Sequence, residues 1–302
     1  MAGLQKEIWR PEIIGFLEMD NEFMRYCKDE SANVHDGKIV YIPNAGPAAN
    51  IVKNRQQLPA PITKRTDGLV FYELDEYTSD PILITRADAE YLSYDKRQSI
   101  ISEKMKKMEE DIPTDMLYNW AKNVPAAFKV KTSGANTAAT APSATGNRKA
   151  FTEADVRAAQ TLLNKQSVSK KGRYMLIDSD LLNQLEDSMT QTQKYAFKDS
   201  VNVENGVIGR LWGFDILERG SVLVANGSDV VKTKEAAAAT DDNVACLFWQ
   251  RDMVEKAYGT IELFDENGKA AYYGDLLSCL CNAGGRARRL DNKGVGLILA
   301  DA

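Results

Sequence analysis

The spacing of apolar residues changes several times along this chain, and each change marks an element. Near the start, Ile13, Ile14, Leu17, Phe23, Met24 and Tyr26 are unevenly spaced among charges, which predicts a partly helical arm over residues 1–36. KIVYI at 38–42 and LVFYELDEY at 69–77 are dense in aliphatic, β-branched and aromatic residues, the composition of strands. Between them the large aliphatics are only Ile51, Val52, Leu58 and Ile62, while Pro43, Pro47, Pro59 and Pro61 interrupt regular pairing. So little apolar mass builds no core of its own, and a connection above about 15 residues is unusual inside a compact domain. Two strand-like legs joined in this way predict a long hairpin reaching outward; a loose surface excursion is the alternative.

From Thr85 the period becomes helical. T-R-A-D matches a capping box, with Asp88 answering Thr85. Ile101, Met105, Met108, Ile112, Met116 and Trp120 step by three or four, while EKMKKMEED charges the opposite face. A helix over residues 85–112 would span about 40 Å. Pro113 predicts a break or kink near Asp111, because it removes a backbone donor and crowds the preceding turn. The methionines at this spacing read as core filling.

TSGANTAATAPSAT, residues 132–145, lacks bulky apolar groups and predicts a linker or exposed loop. A second capping box, T-E-A-D from Thr152, follows, with Phe151 and Val156 placed as a hydrophobic staple. The helix it opens carries Val156, Ala159, Leu162 and Leu163, Gly172 marks the exit, and YMLI at 174–177 makes a buried strand. Asp178, Ser179 and Asp180 then start a helix containing Leu181, Leu182 and Leu185. Gly206, Gly209 and Gly213 lack the spacing of a dinucleotide or phosphate loop and are read as turn residues around a strand beginning near Phe214. Residues 225–243 form a polar excursion before the strand-like VACLFW. Residues 261–264 and 270–273 flank D-E-N-G, a hairpin signal, and VGLIL at 295–299 predicts a final strand.

Composition narrows the function. Hydrophobic residues make up 44% and charged residues 27% of the 302, as in folded proteins. Lys plus Arg number 38 against 43 Asp plus Glu, a net charge of -5 without the basic footprint of a tight nucleic-acid binder. The opening MAGLQKEIWR is too charged for a secretory leader, and no stretch approaches the roughly 18 apolar residues of a membrane span. Synthesis and folding in the cytoplasm are expected, with no membrane partner. Cys27, Cys246, Cys279 and Cys281 are too few for a disulfide framework; Cys279 and Cys281 share a strand face at a spacing poor for zinc. His35 is the only histidine, which removes most general-base chemistry; no catalytic, metal or cofactor site is assigned. The acidic groups at 109–111 and 241–242 read as solvated, and no serine lies in a G-x-S-x-G setting. The cluster RARR, holding Arg286, Arg288 and Arg289, could touch phosphate, bridge to another protein copy or stay solvated. Lys53, Arg55, Lys64 and Arg65 ride on the outreaching segment, where charge could set register with a neighbour.

The order of these elements resembles the major capsid protein of tailed double-stranded DNA bacteriophages, an α+β architecture called the HK97-like fold. The resemblance runs over about residues 10–298 and is carried by element order, by FTEADVRAAQTLLNKQSVSKKGRYMLIDSDLLNQL and by GVIGRLWGFDILERG. It implies an N-terminal arm (1–36), an extended hairpin loop with flanking strands (37–82), a long spine helix and peripheral domain (83–130), a linker or exposed loop (131–150), and a predominantly axial α/β domain (151–302) whose terminal strands return toward the peripheral domain. The implied function is self-assembly of hexamers and pentamers into an icosahedral shell around phage DNA, without enzymatic activity or cofactor. Its interface candidates are Ile51, Lys53, Arg55, Leu58, Ile62, Lys64 and Arg65 on the loop, with Arg286, Arg288 and Arg289 as charge contacts. Trp212 and Phe214 are expected to hold the α/β domain together, and no crosslink through Lys53, Lys64 or Asn282 is predicted. Implied partners are many copies of the chain, a separate scaffolding protein, a portal, decoration proteins and weak, nonspecific contact with packaged DNA. The expected location is the virion, assembled in the bacterial host cytoplasm. Two alternatives stay open: an encapsulin-like cellular shell protein and a soluble α+β enzyme with a long lid loop.

Overall fold

In the computed structural model, which describes residues 21–44, 50–56, 58–62, 64–65, 67–85, 96–199, 201, 206–269 and 271–301, the chain builds two large sheets with a helix between them. In chain order the first strands are β1 (Lys28–Asp29), β2 (Val34–His35), β3 (Ile39–Asn44), β4 (Gly68–Glu73), β5 (Asp75–Thr78) and β6 (Ile82–Thr85). Helix α1 (Lys96–Ala121) precedes β7 (Lys129–Lys131), β8 (Asn136–Ala138) and β9 (Asn147–Lys149). Then come α2 (Glu153–Lys165), β10 (Arg173–Asp178), α3 (Ser179–Ser188), α4 (Gln191–Lys198), β11 (Val207–Leu211), β12 (Phe214–Arg219) and β13 (Leu223–Ala225). Strands β14 (Asn243–Gln250), β15 (Val254–Lys269), β16 (Gly274–Ala287) and β17 (Val295–Leu299) complete the set.

The seven-stranded sheet runs β11-β12-β10-β14-β17-β7, with β13 beside β14. Its central strands read as continuous apolar runs because both faces are covered. In β14, Val244, Cys246 and Phe248 face a core shared with α2, α3 and α4, while Ala245, Leu247 and Trp249 face a second core under α1. Strand β17 divides likewise, Ile298 to one side and Val295, Leu297 and Leu299 to the other. The five-stranded sheet is built on the long antiparallel ribbon β15–β16, flanked by β1, β5 and β6. Tyr258, Cys279, Cys281 and Ala283 of that ribbon join Ile112, Met116 and Trp120 of α1 in the second core. Cys279 and Cys281 thus lie on one strand face, both buried and neither in a disulfide.

Several predicted elements hold. The box at Thr152 closes, the Thr152 backbone donating to Asp155 Oδ2 at 2.8 Å, and the staple residues Phe151 and Val156 share one core. Asp178 caps α3 by accepting from the Leu181 amide at 2.7 Å. Gly213 follows Trp212 in the left-handed turn from β11 to β12, with φ of 80° and 48° respectively.

Others are corrected. LVFYELDEY is not one strand: Leu74 is buried between β4, which pairs with β3, and β5, which pairs with β16. Residues 132–145 are mostly exposed, as the loop reading has it, but not a free linker, since β8 pairs with β9 and Ala141 enters the core, side chains too small to register in a hydrophobicity pattern. D-E-N-G is not the hairpin turn; β15 runs through it, Gly268 sits at a register shift, and the chain reverses between Lys269 and Gly274. Thr85 closes β6, and the helix start predicted there falls on residues outside those described.

Pro113 does not break α1, which is continuous across it. The carbonyl that proline cannot serve is that of Glu109, four residues back, and it accepts from Asn21 Nδ2 at 3.1 Å in a buried bond. The arm therefore repairs the helix it packs on. Asn21→Ala is expected to cost about 1–3 kcal/mol by withdrawing this donor, read as a lower urea midpoint at unchanged m-value.

Candidate assembly surface

Strands β3 and β4 form an antiparallel hairpin in register Val40↔Tyr72, Tyr41↔Phe71, Ile42↔Val70 and Pro43↔Leu69. Strand alternation gives it two faces. Val40, Ile42 and Val70 are buried, and Val40 packs with Leu74 and Ala257 of β15. Tyr41, Leu69 and Phe71 point the other way and are exposed. At the root, the Leu74 amide donates to the Lys38 carbonyl at 2.7 Å and Lys38 pairs with Glu76 at 3.0 Å. Gly259 permits the close approach there, since a Cβ on it would meet the Gly37 carbonyl oxygen at 2.4 Å.

Beyond the legs, the described residues from 50 to 65 form no helix or strand. Ile51 is 94%, Leu58 80% and Ile62 100% exposed. Lys53 and Lys64 are exposed, Arg55 is half-buried, and Arg65 pairs with Asp67. Isolated exposed apolar residues are ordinary on a surface, but three large aliphatics on a segment with no core are not explained by folding.

The three arginines of RARR do not act together. Arg286 reaches across to the Phe71 carbonyl at 3.3 Å and so ties β16 to the hairpin root. Arg288 turns inward, donating to buried Glu255 at 3.0 Å and to the Asp252 carbonyl at 3.3 Å. Arg289 holds Asp291 through two bonds of 2.8 Å, which keep the Asp291 carboxyl below its ordinary range. The loop residues and these arginines are not one cluster. Asn282 is buried and donates to the Gly37 carbonyl at 3.4 Å.

Phe214 is fully buried in the α/β core, whereas Trp212 lies at the surface, its indole donating to Glu153 at 2.9 Å with Arg157 over the ring. Sequence reasoning missed the outer hairpin face and the exposed Phe264, Tyr272 and Tyr273 near the far end of β15–β16. The signal for the first was present: IVYIP and GLVFYE are apolar at successive positions, so both faces of the hairpin are apolar. Among the described residues no group of three or more His, Cys, Asp or Glu could hold a metal ion, and no helix is long and apolar enough to cross a membrane.

A family model described as phage capsid protein matches residues 30–301. The structure is similar to the capsid of Ralstonia phage GP4, with TM-score 0.67 at 14% identity over 92% of this chain and 87% of that one. It is also similar to the capsid of cyanophage P-SCSP1u, with TM-score 0.60 at 15% identity over 90% and 86% of the two chains. The capsid of Helicobacter pylori bacteriophage KHP30 aligns with TM-score 0.61 at 11% identity over 92% and 88%. No curated protein sequence matches the chain.

Proposed function

The chain belongs to the phage capsid protein family, and on that premise we propose that it is the major capsid protein, associating as hexamers and pentamers into an icosahedral shell around double-stranded DNA. As a structural protein of the virion it has no reaction to perform, so the enzyme alternative falls. The observation that carries the reading is the hairpin: a root fastened to the wall, an apolar outer face, and a segment whose aliphatics Ile51, Leu58 and Ile62 stand exposed, without cover among the described residues. Such residues suit the surface of a neighbouring copy, and repetition by symmetry turns modest contacts into a stable shell.

On this reading residues 38–80 are the extended loop and α1 is the spine helix. The peripheral domain includes the β15–β16 ribbon, which returns to β5 and β6, while α2 to β14 with β17 form the axial domain. Lys53, Arg55, Lys64 and Arg65 set register with the neighbour. A separate scaffolding protein, a portal and decoration proteins are the expected partners, assembly takes place in the host cytoplasm, and the net charge of -5 suits weak contact with packaged DNA. Electron microscopy of the purified chain, alone and with its scaffold, is expected to show shells or hexameric and pentameric capsomers. A chain that stays monomeric under both conditions contradicts the proposal.

A further inference from the structure

Between the arm and the turn from β14 into β15 lies a groove of about 430 Å³ whose charged lining is Arg25, Lys28, Asp29, Arg251, Asp252 and Lys256. Strand β1 runs parallel to β15 with Asp29 opposite Lys256, and the single helical turn Arg251–Met253 leads into the same strand, so cations from two distant stretches of sequence share one groove. Lys256 is buried, its ammonium 5.6 Å from the centre of the Tyr258 ring, while Arg25 and Arg251 are exposed.

The backbone that carries these cations is fastened. Tyr26, next to Arg25, stacks on Tyr174 of β10 at 4.2 Å, and its carbonyl accepts from the Trp249 indole at 2.9 Å. On the other side Gly172, with φ of 65°, turns the chain so that its carbonyl accepts from the Arg251 amide at 2.8 Å. The Lys171 carbonyl accepts from Gln250 Nε2 at 3.3 Å, which sets exposed Lys170 and Lys171 beside Arg251. The two carboxylates already have partners: Asp29 accepts from the Ser31 amide at 2.8 Å and Asp252 from Gln250 Nε2 at 3.0 Å. Lys28 is paired with Glu30. Arg25, Arg251, Lys170 and Lys171 hold no side-chain ion pair among the described residues. The lining thus sets four cations against two carboxylates, with two further lysines alongside, on a chain whose net charge is -5.

We propose that this groove takes the phosphates of a nucleic-acid backbone, an inference that rests on reading the chain as a shell around DNA and gives that contact a defined place. Guanidinium and ammonium groups meet phosphate oxygens without reading base edges, so the contact is independent of base sequence. Charge density favours nucleic acid over an acidic peptide. A duplex carries one charge per about 1.7 Å of its axis, whereas an extended chain of acidic residues carries at most one per about 3.3 Å. Several phosphates therefore reach the cations at once.

The test is fluorescence anisotropy of a labelled duplex of about 20 base pairs with the full, unassembled chain, between about 50 and about 200 mM salt. The logarithm of the binding constant is expected to fall with the logarithm of salt at a slope of about -3 to -4. Arg25→Ser with Arg251→Ser is expected to flatten that slope by about 2 and to weaken binding at about 50 mM salt on the order of tenfold. Lys170→Ser with Lys171→Ser acts in the same direction. All four residues are exposed, so the thermal transition stays in place. Lys53→Ser with Lys64→Ser removes the same charge from the loop and leaves the slope unchanged. No binding by the parent chain at the lowest salt, an unchanged slope in the groove variants, or an equal loss in the loop variant overturns the proposal. So does poly-glutamate that binds the parent chain more tightly than the duplex does. The measurement needs no shell: a chain that forms shells but fails here removes this inference alone, and a chain that binds here but forms no shell removes only the shell reading.

Discussion

Replacing Ile51, Leu58 and Ile62 together by serine is expected to abolish shell formation while leaving the thermal transition of the unassembled chain in place. The three side chains are largely in water in the single chain, so removing them opens no core cavity. In a shell the same residues would be covered. Burying a large aliphatic side chain contributes about 1.5–3 kcal/mol, and the loss recurs at every copy. Sedimentation velocity reads the result: loss of particles with retained monomer supports the assembly surface, and undiminished particle yield rejects it. Substituting Lys53 and Lys64 by serine is the control, expected to slow assembly more than to prevent it, because rim charges act on encounter rate.

Trp120→Ala is expected to destabilise the chain by about 3–5 kcal/mol, the largest effect of any single change considered. Trp120 is fully buried near the end of α1, edge-on to Phe23 of the arm at 5.9 Å and tilted against Trp249 of β14 at 5.7 Å. Its Nε1 donates to the Glu255 carbonyl at 3.0 Å, so arm, helix and both sheets converge on one indole. Gly285 makes the room, since a Cβ there would lie 2.9 Å from that nitrogen. Truncation leaves a cavity and an unserved carbonyl at once. Trp120→Phe keeps much of the volume but not the donor, and about 1–3 kcal/mol is expected. Guanidinium unfolding of the three chains checks the order; equal midpoints would show that the junction carries no stability.

Much of the fold was legible because long elements repeat a pattern. The period of Met105, Met108, Ile112 and Met116 named α1, the box at Thr152 named α2, and VACLFW and VGLIL named the two most buried strands. What misled was local chemistry overruled at a distance. Pro113 spoke for a break, but Asn21, far away in sequence, supplies the missing bond. D-E-N-G spoke for a turn, but opposite it Leu276 and Leu277 extend the ribbon. The loop residues Ile51, Leu58 and Ile62 were legible as lacking a core. Arg288 was not legible as an inward group, because only the fold brings Glu255 and Glu30 to it.

The wiring of the sheets also bears on how the chain reaches its native state. Ser79 accepts from the Cys279 amide across 200 residues of sequence, β6 pairs with β16, and β7 pairs with β17. Pairings so distant make folding slow, since chain entropy is spent before the contacts form. On the ribosome, β5, β6 and β7 emerge long before their partners, and the wall cannot close until β16 and β17 have followed. A chain stopped before β16 lacks the strand with which β5 and β6 pair, and so lacks the wall beside the hairpin root.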